Sequence, residues 1–197
     1  MSVKRKAGLI QAAFGAVVLT LLMQPFGALG FGNYNWMLFV VLILFFAMGA
    51  DLKKIPSMII CYAIGILWAV LNVTLMGMMQ GLPAWIPNIA LTMVIIFSVL
   101  TIHDNLLSNT IFGNIPSLFL GLAETFFIFS IKPANAPSIT PIHLFGFFLY
   151  GLLMTIVLVV GGTLLCNVFL GKDWPKYAYG TPEQMKSAES NGSNDKK

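Results

Sequence analysis

The chain has 197 residues, 58% of them hydrophobic and only 9% charged, with a mean hydropathy of +0.87. A soluble domain of this length would carry roughly a quarter charged residues, so a water-soluble globule, a disordered chain and a nucleic-acid module are excluded. The net charge of +4 is no phosphate-binding face, because the charges sit almost wholly in the first six residues, at 51–54 and after Gly171; that is the layout of a polytopic membrane protein.

At about 20 apolar residues per span, the length holds roughly six transmembrane helices and no second domain. The expected fold is therefore all-α, a polytopic helix bundle over residues 1–171 followed by a polar tail at 172–197. Lys4, Arg5 and Lys6 precede the first apolar run, Ala7 to about Leu29. It is longer than the apolar region of a signal peptide, and it is expected to stay uncleaved as the first span. A turn-rich stretch from Gly30 to Asn35 leads to a second run that opens at Trp36 and ends at Ala50. Fifteen helical residues reach only about 22 Å against a hydrocarbon core of about 30 Å, so this helix is expected to be short or broken.

The third run covers about Pro56 to Met79, with Pro56 suited to a first helical turn. The fourth, from about Trp85 to Ile102, is expected to stop at His103-Asp104-Asn105. The fifth is irregular at its start, where Asn105, Asn109, Thr110 and Asn114 precede Pro116, and it then runs to about Ile131. After a Lys132–Pro137 loop, the sixth covers about Ile142 to Leu170. The polar residues 181–197 are expected to be disordered. In this six-span arrangement ten of the eleven Lys and Arg fall on one side and only Lys132 on the other. The positive-inside rule then puts both termini in the cytoplasm.

The chain also resembles itself at a shift of 81 residues. Phe31-Gly32-Asn33 falls on Phe112-Gly113-Asn114, Phe45-Phe46 on Phe126-Phe127, and Pro56-Ser57 on Pro137-Ser138. Gly65, Leu71, Thr74 and Gly81 fall on Gly146, Leu152, Thr155 and Gly162. The halves, about 1–81 and 82–170, then hold three spans each. Three is odd, so the copies enter the membrane from opposite sides: a 3+3 inverted repeat with irregular second and fifth helices, as in many secondary transporters and some channels. Duplication retained for folding alone is the alternative.

Glu124 is the single carboxylate deep inside an apolar run, a position that costs roughly 2.5–3.5 kcal/mol unless the group faces protein or water. Asn114, Ser117, Gly121 and Glu124 are spaced to share one helix face. Two roles are open for Glu124: a solute-contacting or protonatable group lining a path, or a structural glutamate paired with Tyr150 or Thr155. Asn33, Asn35 and Asn114 stand at the starts of the two irregular helices, as caps or as ligands beside open N–H groups. His103 and Asp104 form a candidate gate at the end of the fourth span, with an interfacial cap as the plainer role. Cys61 and Cys166 lie in apolar runs without metal-ligand spacing, and the eleven methionines fit packing, so no metal or cofactor is expected. No nucleophile elbow, phosphate loop or cofactor fingerprint is present, which points away from an enzyme.

Trp36, then Phe45-Phe46-Ala47-Met48-Gly49, then Gly65-Ile66-Leu67-Trp68-Ala69, together with Pro116-Ser117-Leu118-Phe119-Leu120-Gly121 and Thr125-Phe126, resembles a family of small bacterial inner-membrane proteins of unknown function that includes YcdZ. The resemblance covers about residues 8–170 and implies a bacterial cytoplasmic membrane, but no activity. Ser117 stands where that family has glycine, and Glu124 where YcdZ has a small apolar residue, which marks Glu124 as a subgroup feature. The expected function is a small channel or secondary transporter for a small polar solute. Its path would be lined by Glu124, Asn33, Asn35, Asn114, Ser117 and Gly121. A non-transporting scaffold or accessory subunit is the alternative. The partners expected are the lipid bilayer and the solute, with no nucleic acid and with self-association left open.

Overall fold

The computed structural model describes residues 2–130 and 137–179. Seven helices are described: α1 (Val3–Ala28), α2 (Asn35–Ala47), α3 (Ile55–Met78), α4 (Ile86–Leu106), α5 (Ile115–Ser130), α6 (Pro141–Leu170) and α7 (Trp174–Tyr179). No strand occurs among the described residues, only an isolated bridge between Gln80 and Leu82. By length and composition α1, α3, α4 and α6 can each cross a membrane, whereas α2 with its preceding turn (Gly32–Ala47) and α5 are shorter apolar helices. The 16 residues of α5 give about 24 Å of helix. This is a membrane-embedded helical protein, and its outward-facing Ile43, Leu67, Phe97 and Val168 are each at least 65% exposed, as a lipid-facing surface requires.

The irregular backbone follows the sequence only in part: a short α2 and turns ahead of α5 are as expected, and the widened turns of α4 are not. The helices α2 and α5 are regular, and the departures precede them: a single 3-10 turn at Gly32–Tyr34, and turns and bends over 107–112. The widened turns belong instead to α4, a π-helix over Ile86–Leu91 and again over Leu100–Leu106 around regular turns at Thr92–Val99. Pro87 denies the first turn one N–H. At the other end the extra residue per turn lets helix continue past Ile102, so that His103 points inward, buried, instead of ending the span. The α2 terminus has a local cause. Gly49 and Ala50 both have positive φ (86° and 54°), and their N–H groups close back on Phe46 and Phe45, a left-handed exit that glycine makes at little cost.

The chain divides into two compact units, Phe26–Leu153 and the stretch up to Pro25 with the chain from Met154. In the latter, Phe14 lies against Gly161, and buried Ala7, Cys166 and Trp174 form a cluster. The Cys166 thiol points at the Ala7 carbonyl, and Trp174 Nε1–H donates to Asn167 Oδ1 at 3.0 Å. Lys176 pairs with Asp173 at 2.8 Å, and that hydrogen bond and charge raise the lysine pKa. Residues 181–197, where disorder is expected, lie outside the described residues, as does Lys132.

The Phe26–Leu153 unit is organised by two helix crossings. A Cβ on Gly65 would overlap the backbone of Leu118 and approach that of Leu122. One on Gly121 would overlap the Tyr62 carbonyl and approach Ile66. The absence of both side chains is what lets α3 and α5 meet backbone to backbone, as small residues do between membrane helices. Residue numbers rise together along this contact, and Ser57 at the start of α3 donates to the Ile111 carbonyl ahead of α5 at 2.8 Å, so α3 and α5 run parallel. The second crossing has the same sense. Tyr34, just before α2, donates to the Pro137 carbonyl, just before α6, at 2.9 Å, and further on Val41 packs on Gly151.

Candidate functional site

The buried face of α5 carries Ser117, Leu118, Gly121, Leu122, Glu124, Thr125 and Ile128. Glu124 is 4% exposed and accepts a hydrogen bond on Oε2 from the Tyr62 hydroxyl of α3. Tyr62 is itself held by stacking on Phe148 of α6, with centroids 3.9 Å apart and planes 10° from parallel, and its Oη also lies 3.4 Å from the Leu144 carbonyl oxygen. Glu124 Oε1 has no partner among the described residues. No Lys or Arg occurs in α2, α3, α4, α5 or α6, so the carboxyl group has no cationic side chain to offset it there.

Other buried polar atoms are left over on the same pair of helices. Ser117 Oγ and both amide atoms of Asn72 have no partner among the described residues. Asn72 shares the α3 face of Gly65 and Ala69 that turns toward α5. Because α3 and α5 are parallel, Asn114, Ser117, Glu124 and Asn72 follow one another up the crossing as a polar column of about 20 Å. Buried polar groups are nearly always hydrogen-bonded, and each one left unpaired costs about 1–3 kcal/mol. A cluster of them beside the one intramembrane carboxyl group is suited to water or a polar solute.

At its Asn114 end the column borders a cleft of about 270 Å³ whose lining includes Lys54, Ser57, Ser108, Thr110 and Asn114. A second hollow, between Ala63–Val70 of α3 and the start of α6, is lined wholly by apolar residues and is suited to lipid.

The asparagines part company. Asn114 caps α5, its Oδ1 accepting from Ser117 N–H at 3.2 Å while its carbonyl takes Leu118 N–H at 3.1 Å. Ile115 N–H closes on Gly113 and Pro116 has none, so the start of α5 offers no open N–H to an anion. Asn114→Ala is expected to lower stability by about 0.5–2 kcal/mol, as lost caps do; unchanged thermal unfolding in detergent would count against the cap. Asn33 is exposed, and Asn35 is half-buried with Oδ1 unpartnered. Neither belongs to the column.

His103 and Asp104 are adjacent but turn different ways. Buried His103 receives the Trp68 indole N–H on Nε2 at 3.2 Å, while Nδ1 lies 3.0 Å from the Phe112 carbonyl oxygen. A donor on one side and an acceptor on the other assign the Nδ1–H tautomer. Asp104 is exposed. The histidine thus ties α3 and α4 to the turn before α5. Trp68→Phe would strand Nε2 and is expected to cost about 1–3 kcal/mol, read as a lower unfolding temperature in detergent.

The partner of Glu124 was not anticipated. Tyr62 and Asn72 are polar groups within the third apolar run, the same signal that singled out Glu124, but weaker for being uncharged. Both cysteines are free and buried, and among the described residues no three His, Cys, Asp or Glu side chains come together.

Residues 9–171 match a family described as protein of unknown function (DUF1097), and the chain belongs to that family. No curated protein and no solved structure matches it.

Proposed function

We propose that this DUF1097 protein is a small channel or secondary transporter for a small polar solute, with the path running beside the α3–α5 crossing through Asn114, Ser117, Glu124 and Asn72. The observation that carries this is the set of buried polar atoms without partners: Ser117 Oγ, Glu124 Oε1 and the Asn72 amide. In a lipid-embedded bundle such atoms are retained where water or cargo reaches them. The cleft with Lys54, Ser57 and Asn114 serves as the mouth of the path.

Six spans in a 3+3 inverted repeat fit this role. Length alone marks four helices, but α5 runs parallel to α3 and the start of α6 parallel to α2, as expected if every helix between them crosses the bilayer. The two crossings are also equivalent under the 81-residue register, α3 with α5 answering to α6 with α2. The distribution of Lys and Arg favours cytoplasmic termini, and the resemblance to the YcdZ family favours a bacterial inner membrane. The backbone contact at Gly65 and Gly121 favours a second reading, a rigid scaffold or accessory subunit.

Flux separates the two. Purified protein in liposomes would be challenged with a panel of polyols, amides, amino acids and inorganic ions. Transport predicts one chemical class entering at least severalfold faster than into protein-free vesicles. Equal rates across the panel would leave the scaffold.

A further inference from the structure

The Tyr62 hydroxyl has one hydrogen and two acceptors within reach, Glu124 Oε2 on α5 and the Leu144 carbonyl on α6. Only one can receive it fully, and the charge on Glu124 decides which. An ionised carboxylate is acceptor-only and takes the phenolic hydrogen; a protonated carboxyl group becomes a donor and seeks an acceptor. We infer that Glu124 binds and releases a proton and that Tyr62 converts this into a change of partner, its hydroxyl hydrogen turning from Glu124 to the Leu144 carbonyl when Glu124 is protonated. This rests on the proposed transport role only for its purpose, not for its chemistry.

The exchange balances. A proton from water joins a Glu124 oxygen, the new carboxylic O–H donates to Tyr62 Oη, and the phenolic hydrogen swings to Leu144 without leaving its oxygen. Tyr62 stays neutral throughout and the site gains one positive charge. The groups facing Glu124 do not compete for that proton. From α3 the facing group is Tyr62, and the α6 groups that Tyr62 itself meets, the Leu144 carbonyl and the Phe148 ring, carry no titratable proton. On α5 itself Thr125 donates to the Gly121 carbonyl at 2.7 Å. His143 of α6 is engaged with Thr140 and exposed. The consequence is mechanical: protonation at α5 tightens the hold of α3 on the first turns of α6, so the charge state biases how the helices around the polar column are tied.

Infrared difference spectra of the protein in lipid vesicles, taken as the pH is stepped down, test this without any solute. The wild type is expected to show a carboxylic C=O band that is missing in Glu124→Gln. Tyr62→Phe keeps the band but moves it to higher frequency, because its hydrogen bond to the phenol is gone. Identical wild-type and Glu124→Gln spectra at every pH would overturn the proton site, and an unmoved band in Tyr62→Phe would overturn the switch of partner. Should Glu124→Gln fail to fold, Tyr62→Phe against wild type still decides. The band without flux of any solute refutes transport and leaves the proton site standing; flux without the band does the reverse.

Discussion

Gly121→Val is expected to be among the most damaging single changes in the protein. The new side chain would meet the Tyr62 carbonyl of α3, and backbone cannot step aside as a flexible side chain can. Overpacking typically costs about 1–3 kcal/mol, and an obstacle of this kind puts the loss at or above the upper end. The same substitution at Gly65 meets Leu118 and is expected to behave alike. Gly146 is the control. Nothing lies within 4 Å of a Cβ there, so Gly146→Ala should be neutral or stabilise by up to about 1 kcal/mol through helix propensity. Thermal unfolding in a single detergent ranks the three, and equal losses at Gly121 and Gly146 would contradict the crossing.

Glu124→Ala is expected to abolish flux while leaving the protein folded. Alanine removes the carboxyl group and leaves the Tyr62 hydroxyl to the Leu144 carbonyl, an acceptor it already approaches at 3.4 Å, so stability changes little. The hydrogen bond given up to Glu124 is replaced by the one to Leu144, and flux should fall to the rate seen with protein-free vesicles. Glu124→Gln keeps the shape and one acceptor but not the charge. It separates a requirement for polarity, in which flux survives, from a requirement for charge, in which it does not. Uptake equal to wild type in both variants would remove Glu124 from the path.

The periodicity and charge of the sequence sufficed for the helices, because in a membrane long apolar runs and their flanking lysines have few alternative placements. Pro56 at the start of α3 was likewise legible, resting on the backbone chemistry of one residue. The continuation of α4 to Leu106 was not. His103, Asp104 and Asn105 look like a stop, and only the partners supplied by Trp68 and Phe112 make burying His103 affordable. The 81-residue shift shows a similar limit. Gly65 and Gly146 match at that shift, yet one sits in a backbone contact and the other in open space, while Gly151, opposite Val41, falls on Val70. Identity at a fixed shift does not say which residue each crossing uses.

For the site, the spacing of Asn114, Ser117, Gly121 and Glu124 placed four residues on one face, and all four are inward. What spacing could not supply was the opposite wall. Tyr62 reaches Glu124 because α3 lies against α5, a property of the crossing that no local pattern encodes. Asn33 and Asn35 shared the helix-start signal with Asn114, but their helix leads to a different crossing.

The central claim is that the α5 face is reached by water from the Asn114 cleft. Ser117→Cys, with Cys61 and Cys166 replaced by alanine, places a thiol in the column one turn above that cleft. In liposomes, a membrane-impermeant thiol reagent should label it, and should do so from the side that bears Lys54, while a lipid-facing Phe129→Cys stays unlabelled. A thiol at 117 that resists the reagent from both sides would mean that the column is sealed, and that these helices form a scaffold with no path.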